Sequence, residues 1–243
     1  QLRILFMSMA NIVSIRPKVI FSLCEKQLSA TQRRFVVNIP SSEIGGLTLL
    51  ESSILVSLCK LINAQSIFEF GTFMGATSSL LALNTDTSCQ IVTLDLPREV
   101  SQVVNVDNNQ ILSSGIENDK YLTKKFVSSG AVYLEDINEL CPGKVKQLFE
   151  DSQKLDVEQH GFSQQFDFIF IDGGHDYETV SIDTKNAMQM KSENSIVIWH
   201  DYKSTIHGDV SRFVDEFSSK TTVIHVENTM LAIALFGSYT NLI

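Results

Sequence analysis

The sequence predicts an α/β fold built on a doubly wound, seven-stranded sheet with an antiparallel C-terminal hairpin. Two observations predict it. From residue 47 onward, short apolar runs alternate with helical patterns, which argues a parallel sheet with helices on both faces. At the end, Thr222–Val226 and Met230–Phe236 read as strands separated only by Glu227, Asn228 and Thr229. So short a link forces an antiparallel pair, because a parallel crossover needs about a dozen residues.

Each element follows from its local pattern. Leu47–Ile62 places Leu50, Ile54, Leu55, Leu58, Leu61 and Ile62 at helical spacing, a helix leading into the first strand. Ile67–Phe70 is an apolar run ending in glycine, as a buried parallel strand requires. Thr77–Leu83 reads as a helix, and Ile91–Leu96 as strand two, stopped by Pro97. Ala131–Leu134 is expected as strand three, Asp167–Ile171 as strand four and Ser195–Trp199 as strand five, with helices at Tyr177–Met190 and Val210–Phe217. Between them Arg98–Gly130 is polar and weakly patterned, with helical hints at Lys120–Phe126. A connection that long reads as a lid or a substrate-binding insertion, and substrate choice is expected to reside there and in Ile39–Leu47.

Residues 1–46 are expected to form an N-terminal helical arm ahead of a domain spanning 47–243. The apolar run Leu2–Val13 is too short to cross a bilayer and lacks a clean small-x-small cleavage site. The initial Gln leaves the native start open. An apolar arm packs on the domain or on a second subunit, so a homodimer is the expected assembly.

Composition narrows the partners. Hydrophobic residues make up 44% of the 243 and charged residues 19%, enough for a core and too ordered for a disordered chain. The net charge of −9 repels a phosphate backbone, so nucleic acid is not an expected partner. No membrane association is expected, and a small-molecule acceptor is. Cys24, Cys59, Cys89 and Cys141 form no C-x-x-C pair, which points to a reducing, cytoplasmic compartment without a disulfide framework.

Ligands of open α/β sheets bind outside the carboxyl ends of the strands. Every one of the first five expected strands carries an acid there: Glu69, Asp95, Glu135-Asp136, Asp172 and His200-Asp201. Gly71 allows a sharp turn and close approach of a ligand. Gly75 opens the next helix, whose free N–H groups can receive a carboxylate. The fingerprint G-x-G-x-x-G is broken by Phe73, which counts against a dinucleotide. Asp95, 26 residues after Glu69 on the neighbouring strand, can accept both hydroxyls of a ribose.

The stretch E-F-G-T-F-M-G-A-T-S from Glu69 resembles motif I of catechol O-methyltransferase-like enzymes. The segments F-D-F-I-F-I-D-G-G-H-D-Y-E and I-V-I-W-H-D-Y resemble methyltransferase family 24, a group of class I enzymes dependent on S-adenosylmethionine. The resemblance covers residues 45–236, with 98–130 unmatched. It implies a Rossmann-like sheet of order 3-2-1-4-5-7-6 and S-adenosylmethionine as methyl donor. Glu69, Gly71, Thr72 and Gly75 would line the methionine part with help from Ser78. Asp95 would hold the ribose, Asp136 the adenine edge, and Asp172 would close the site.

Carried over residue by residue, the divalent-metal ligands of related enzymes fall on Asp172, His200 and Asp201. Carboxylates suit Mg2+, whereas an imidazole at 200, where the family has an acid, shifts preference towards another divalent cation. His175 is the expected general base, since a neutral imidazole can take a hydroxyl proton near physiological pH; His200, oriented by Asp201, is the other. His160, His207 and His225 are expected to be surface or packing residues.

The expected function is methyl transfer from S-adenosylmethionine to a small-molecule hydroxyl, with metal-independent N- or O-methylation as the alternative on the same fold. An NAD-type dehydrogenase is disfavoured by Phe73 and the hairpin. A non-catalytic nucleotide-binding domain is disfavoured because clustered strand-end acids repel one another without a task.

Overall fold

The computed structural model describes residues 11–39, 44–97 and 106–243. The apolar run at the start lies outside the described residues up to position 10. Among the described residues are eight strands in one sheet and seven α-helices. In chain order the elements are β1 (Ile12–Ile15), α1 (Pro17–Gln27), α2 (Leu49–Ile62), β2 (Ser66–Phe70), α3 (Ala76–Asn84), β3 (Gln90–Asp95), α4 (Gly115–Ser129) and α5 (Val132–Leu140). Then follow β4 (Val145–Phe149), β5 (Phe166–Ile171), α6 (Tyr177–Met190), β6 (Lys191–Trp199), α7 (Gly208–Phe217), β7 (Val223–Val226) and β8 (Ala232–Phe236).

The spatial order is β1-β7-β8-β6-β5-β2-β3-β4. With β1 set aside, the seven remaining strands have the expected order 3-2-1-4-5-7-6. β8 runs antiparallel to β6 and β7, and the other pairings are parallel. Central β5 shows why the sheet is buried on both sides. Phe168 and Phe170 enter one core with α2, α3 and α5, while Ile169 and Ile171 enter a second with α6 and α7. This is the two-residue alternation of a strand covered on both faces.

Two expectations are corrected. Ala131–Leu134 is not a strand: Val132–Leu140 forms α5, which buries Leu134 and Ile137 three residues apart. Strand three is β4, after the Pro142-Gly143 turn, where Gly143 has φ +73°. As an edge strand, β4 keeps polar residues on its half-exposed faces and lacks an apolar run. The described residues of the expected N-terminal arm are not solely helical either. α1 is a helix, but Ile12–Ile15 joins the sheet beside Val223–Val226.

The polar connection gives α4, with the Ser114 hydroxyl accepting the Glu117 N–H at its start. Among the described residues no helix is long and apolar enough to cross a membrane.

The turn after β2 sets the functional end of the sheet. Gly71 has φ +89°, and a Cβ on it would lie 2.0 Å from the Asp172 carbonyl oxygen. The ends of β2 and β5 therefore meet only because residue 71 has no side chain. Gly71→Ala should destabilise the protein by about 3 kcal/mol or more, read as a lowered midpoint in urea unfolding; a loss below about 1 kcal/mol would contradict this.

Candidate active site

The carboxyl ends of β2, β3, β4, β5 and β6 surround a cleft of about 800 Å³, a size that accommodates a small-molecule ligand. One wall is the turn Gly71–Met74 with Asp95 and Leu96, and a second, adjoining it at Gly71, is Asp172–Asp176 with His200 and Asp201. Helix α4 supplies a roof through Asn118, Asp119, Leu122, Thr123 and Phe126, and Ile44–Gly46 closes the side.

Behind the first wall is a buried polar relay. Glu69 is 1% exposed and Ser78 fully buried. Ser78 and Thr93 both donate to the same Glu69 oxygen, and the Thr93 hydroxyl is 2.8 Å from that of Thr72. Burial pushes the Glu69 carboxyl up to about 8 despite these bonds. Glu69, Gly75 and Ser78 thus support the turn from behind and do not line the cleft. Gly75 caps α3 at φ +82°, where a Cβ would strike Leu134 of α5. Thr72 does reach the cleft wall.

Asp95 faces the cleft and accepts the N–H groups of Phe73 (2.7 Å) and Leu96 (2.8 Å). Phe73 sits at φ +47°, so the residue that breaks the dinucleotide fingerprint adopts a left-handed turn and aims its N–H at the carboxylate. Asp136 is exposed on α5 and takes no part in the cleft. With strand three moved to β4, the residues at that strand end are Glu150–Gln153, which do line the cleft.

The second wall holds an interlocked set of acids and imidazoles. His175 Nδ1 is 2.7 Å from Asp119 of α4, and its Nε2 is 3.2 Å from Asp201. Burial opposes charge on this ring, but the two carboxylates outweigh it and push His175 up to about 10. An imidazolium has a proton on each nitrogen and can accept none until it has released one, which qualifies its expected role as base.

His200 does not present a free nitrogen to the cleft. Its Nδ1 lies 3.0 Å from Asp172 and 3.1 Å from Asp201, while its buried Nε2 has no hydrogen-bond partner and faces Glu51 at 3.7 Å. Against burial, Asp172 and Asp201 raise its pKa well above the ordinary imidazole range. Burial would raise the Glu51 carboxyl, but His200 and the Met230 and Thr48 N–H groups overcome it and hold that carboxyl at about 2. Glu51 also completes the capping box of α2 with Thr48, so one side chain ties a helix start to the site.

The set Asp172, His175 and Asp201 brings one ligand atom from each within 4.8 Å of the others; Asp119, His175 and His207 do the same. Of the residues expected from sequence to hold a metal, Asp172 and Asp201 stand together with His175, while the Nδ1 of His200 lies against both acids. His207 was expected outside the site. It is 5% exposed, stacks on His175 with ring centroids 3.9 Å apart, and lines the cleft. Trp199 and Tyr202 are core residues, donating to Thr184 (2.8 Å) and Asp215 (2.9 Å). His160 pairs with Glu150 at the rim, and His225 packs near Lys203.

The family described as a methyltransferase domain, methyltransferase family 24, matches residues 68–202, more than half of the chain. The chain belongs to this methyltransferase family. No curated protein matches it in sequence. Among solved structures it is similar to the O-methyltransferase TomG from Streptomyces achromogenes, involved in tomaymycin synthesis and solved with SAM. That likeness has 17% identity, covers 80% of this chain and 82% of that one, and gives a TM-score of 0.53. An O-methyltransferase from Bacillus cereus in complex with SAH is 14% identical over 90% of each chain, with a TM-score of 0.53. Cofactor-bound Rv0187 from MTB is 14% identical over 90% of this chain and 88% of that one, at a TM-score of 0.54. These likenesses show that the methyltransferase has their fold.

The ion pairs at His175 give a pH test. A folded-state pKa above the ordinary 6.5 means that their stabilisation is complete below about pH 6.5 and is lost as pH rises through about 10. In an NMR titration of the metal-free protein, His175 should titrate near 10, and Asp119→Asn should lower its midpoint by about a unit or more. A midpoint that stays put in the variant would show that Asp119 does not hold the ring.

Proposed function

We propose that the protein transfers a methyl group from S-adenosylmethionine to a hydroxyl oxygen of a small molecule. The observation that carries this reading is the pairing of a ribose-competent acid, Asp95, with the Asp172–His175–Asp201 group across one cleft in a methyltransferase-family chain. The neighbours whose titles name SAM or SAH support the same donor.

In this reading the ribose hydroxyls meet Asp95, whose oxygens retain lone pairs beyond those used by Phe73 and Leu96. The Gly71 turn and the Asp172 side bracket the sulfonium, whose positive charge suits an acidic wall. The donor is already activated, so the protein's task is to position the acceptor oxygen in line and remove its proton. Asp119 accepts Nδ1–H of His175 and turns Nε2 towards Asp201; that nitrogen serves an incoming hydroxyl only after it has given up its own proton and its pairing with Asp201.

The same donor set fits a divalent cation: Asp172, Asp201 and His175 Nε2 would hold it, with Asp119 orienting the imidazole from behind. Two carboxylates and one imidazole suit manganese, iron or zinc better than magnesium. A bound ion would lower the pKa of the acceptor hydroxyl.

Calorimetry should show S-adenosylmethionine binding and no comparable NAD binding; tighter NAD binding would end the methyltransferase reading. Once turnover is measured on an acceptor, a chelator should abolish it and manganese should restore it. Turnover indifferent to chelation would transfer proton removal to His175 alone. Asp95→Ala should weaken S-adenosylhomocysteine binding by roughly tenfold or more, since each charge-assisted hydrogen bond is worth about 1.5–3 kcal/mol; an unchanged Kd would exclude the ribose role.

A further inference from the structure

Beside the cleft lies a second cavity of about 130 Å³, which shares Gly46, Ala76 and Thr77 with it. Its other walls are chiefly Val37, Ile39, Leu47, Leu49, Leu80 and Tyr133, and among the described residues no charged side chain lines it. Both sides of this pocket are held in place. The N–H and C=O of Val36 pair with the Asn84 amide at 2.8 and 2.7 Å, which fastens segment 36–39 along α3. The Tyr133 carbonyl accepts the Ser79 hydroxyl at 2.8 Å.

The cleft has the opposite character. Among the described residues, eight carboxyl groups line it against one lysine, and Lys203 turns its ammonium towards His225 (3.3 Å) and the Tyr202 ring, neither of which lines the cleft. Even with His175 and His200 protonated the acids prevail, so the field inside repels an anion. The mouth is apolar. Ile44, Leu96 and Leu112 on the cleft, and Val37, Ile39 and Leu49 on the side pocket, are large and exposed. Exposed apolar side chains gathered round an opening mark a surface that a ligand covers.

These features decide what the side pocket takes. The amino-acid end of the donor is a zwitterion, and an uncharged pocket would strip its charges of water with no ion to replace it. A nucleoside is too large, since a cavity of about 150 Å³ holds one benzene ring. We propose that the acceptor is an uncharged hydroxyl compound with an apolar branch no larger than a single ring or a butyl chain. The branch enters the side pocket while the hydroxyl faces the acid–imidazole wall. Carboxylate- and phosphate-bearing acceptors are disfavoured. The proposal rests on the methyltransferase reading above and narrows its acceptor, and it gives the substrate role expected of Ile39–Leu47 a physical basis in Ile39, Gly46 and Leu47.

The test is a binding titration on the full chain saturated with S-adenosylhomocysteine, using para-alkylphenols from methyl to butyl and the analogue of the butyl compound with a terminal carboxylate. Affinity should rise about threefold per methylene and fall at least about tenfold when the carboxylate is added. A Cβ at residue 46 meets nothing within 4 Å and the backbone there is not left-handed, so Gly46→Phe places a ring at the junction of the two cavities without strain and should flatten the series. Val37→Asp, at an exposed position, should flatten it by bringing a charge into the pocket. A flat series in the unsubstituted protein, equal or tighter binding of the carboxylate, or a rise undiminished in both variants overturns the assignment and leaves the methyltransferase reading intact. Failure to bind S-adenosylhomocysteine at all overturns both.

Discussion

The backbone of Gly71 and the carbonyl of Asp172 approach so closely that no side chain fits between them. That contact joins the ends of two adjacent central strands, and the rest of the site is arranged around it. On one side the turn swings Phe73 into a left-handed conformation and points its N–H at Asp95. On the other it fixes the first residue of the acid–imidazole wall. The relay from Thr72 through Thr93 and Glu69 to Ser78 holds the same turn from below, in a region where each hydroxyl needs a partner because water does not reach it.

The acidic wall keeps its charges by internal neutralisation. His200 lies between Asp172 and Asp201, and His175 between Asp201 and Asp119. Two imidazolium rings thus offset carboxylates that would otherwise repel one another at close range. His207, stacked on His175, is pushed the other way: burial lowers its pKa, and the neighbouring cation adds to the effect. The two stacked rings thus have their pKa values pushed in opposite directions.

Much of the sheet was legible because central strands bury both faces and must be continuously apolar. Phe168–Ile171 and Ile196–Trp199 are such runs, and Asp95, Asp172 and Asp201 fall at the mouth because they lie at the ends of strands of this kind. β4 was not legible, because an edge strand keeps polar faces, while Ala131–Leu134 mimics a strand in composition though its buried residues are spaced as a helix. Asp136 was misplaced for that reason. His207 and Asp119 are brought to His175 by tertiary packing from 32 and 56 residues away, which no local pattern encodes. The start of α4 did leave a trace, Ser114 followed three residues later by Glu117, the spacing of a helix cap.

The strand at the N-terminal side has a consequence for how the molecule is assembled. β1 lies along β7, and Asn11 bonds Thr222 across 211 residues of sequence. A pairing of such sequence separation closes late, because the loop entropy must be overcome first. On a ribosome the segment at Ile12 leaves the exit tunnel long before its partner at Val223 exists. Until then it is an unsatisfied ribbon of amides and carbonyls, open to any other strand it meets, and its docking marks the completion of the sheet.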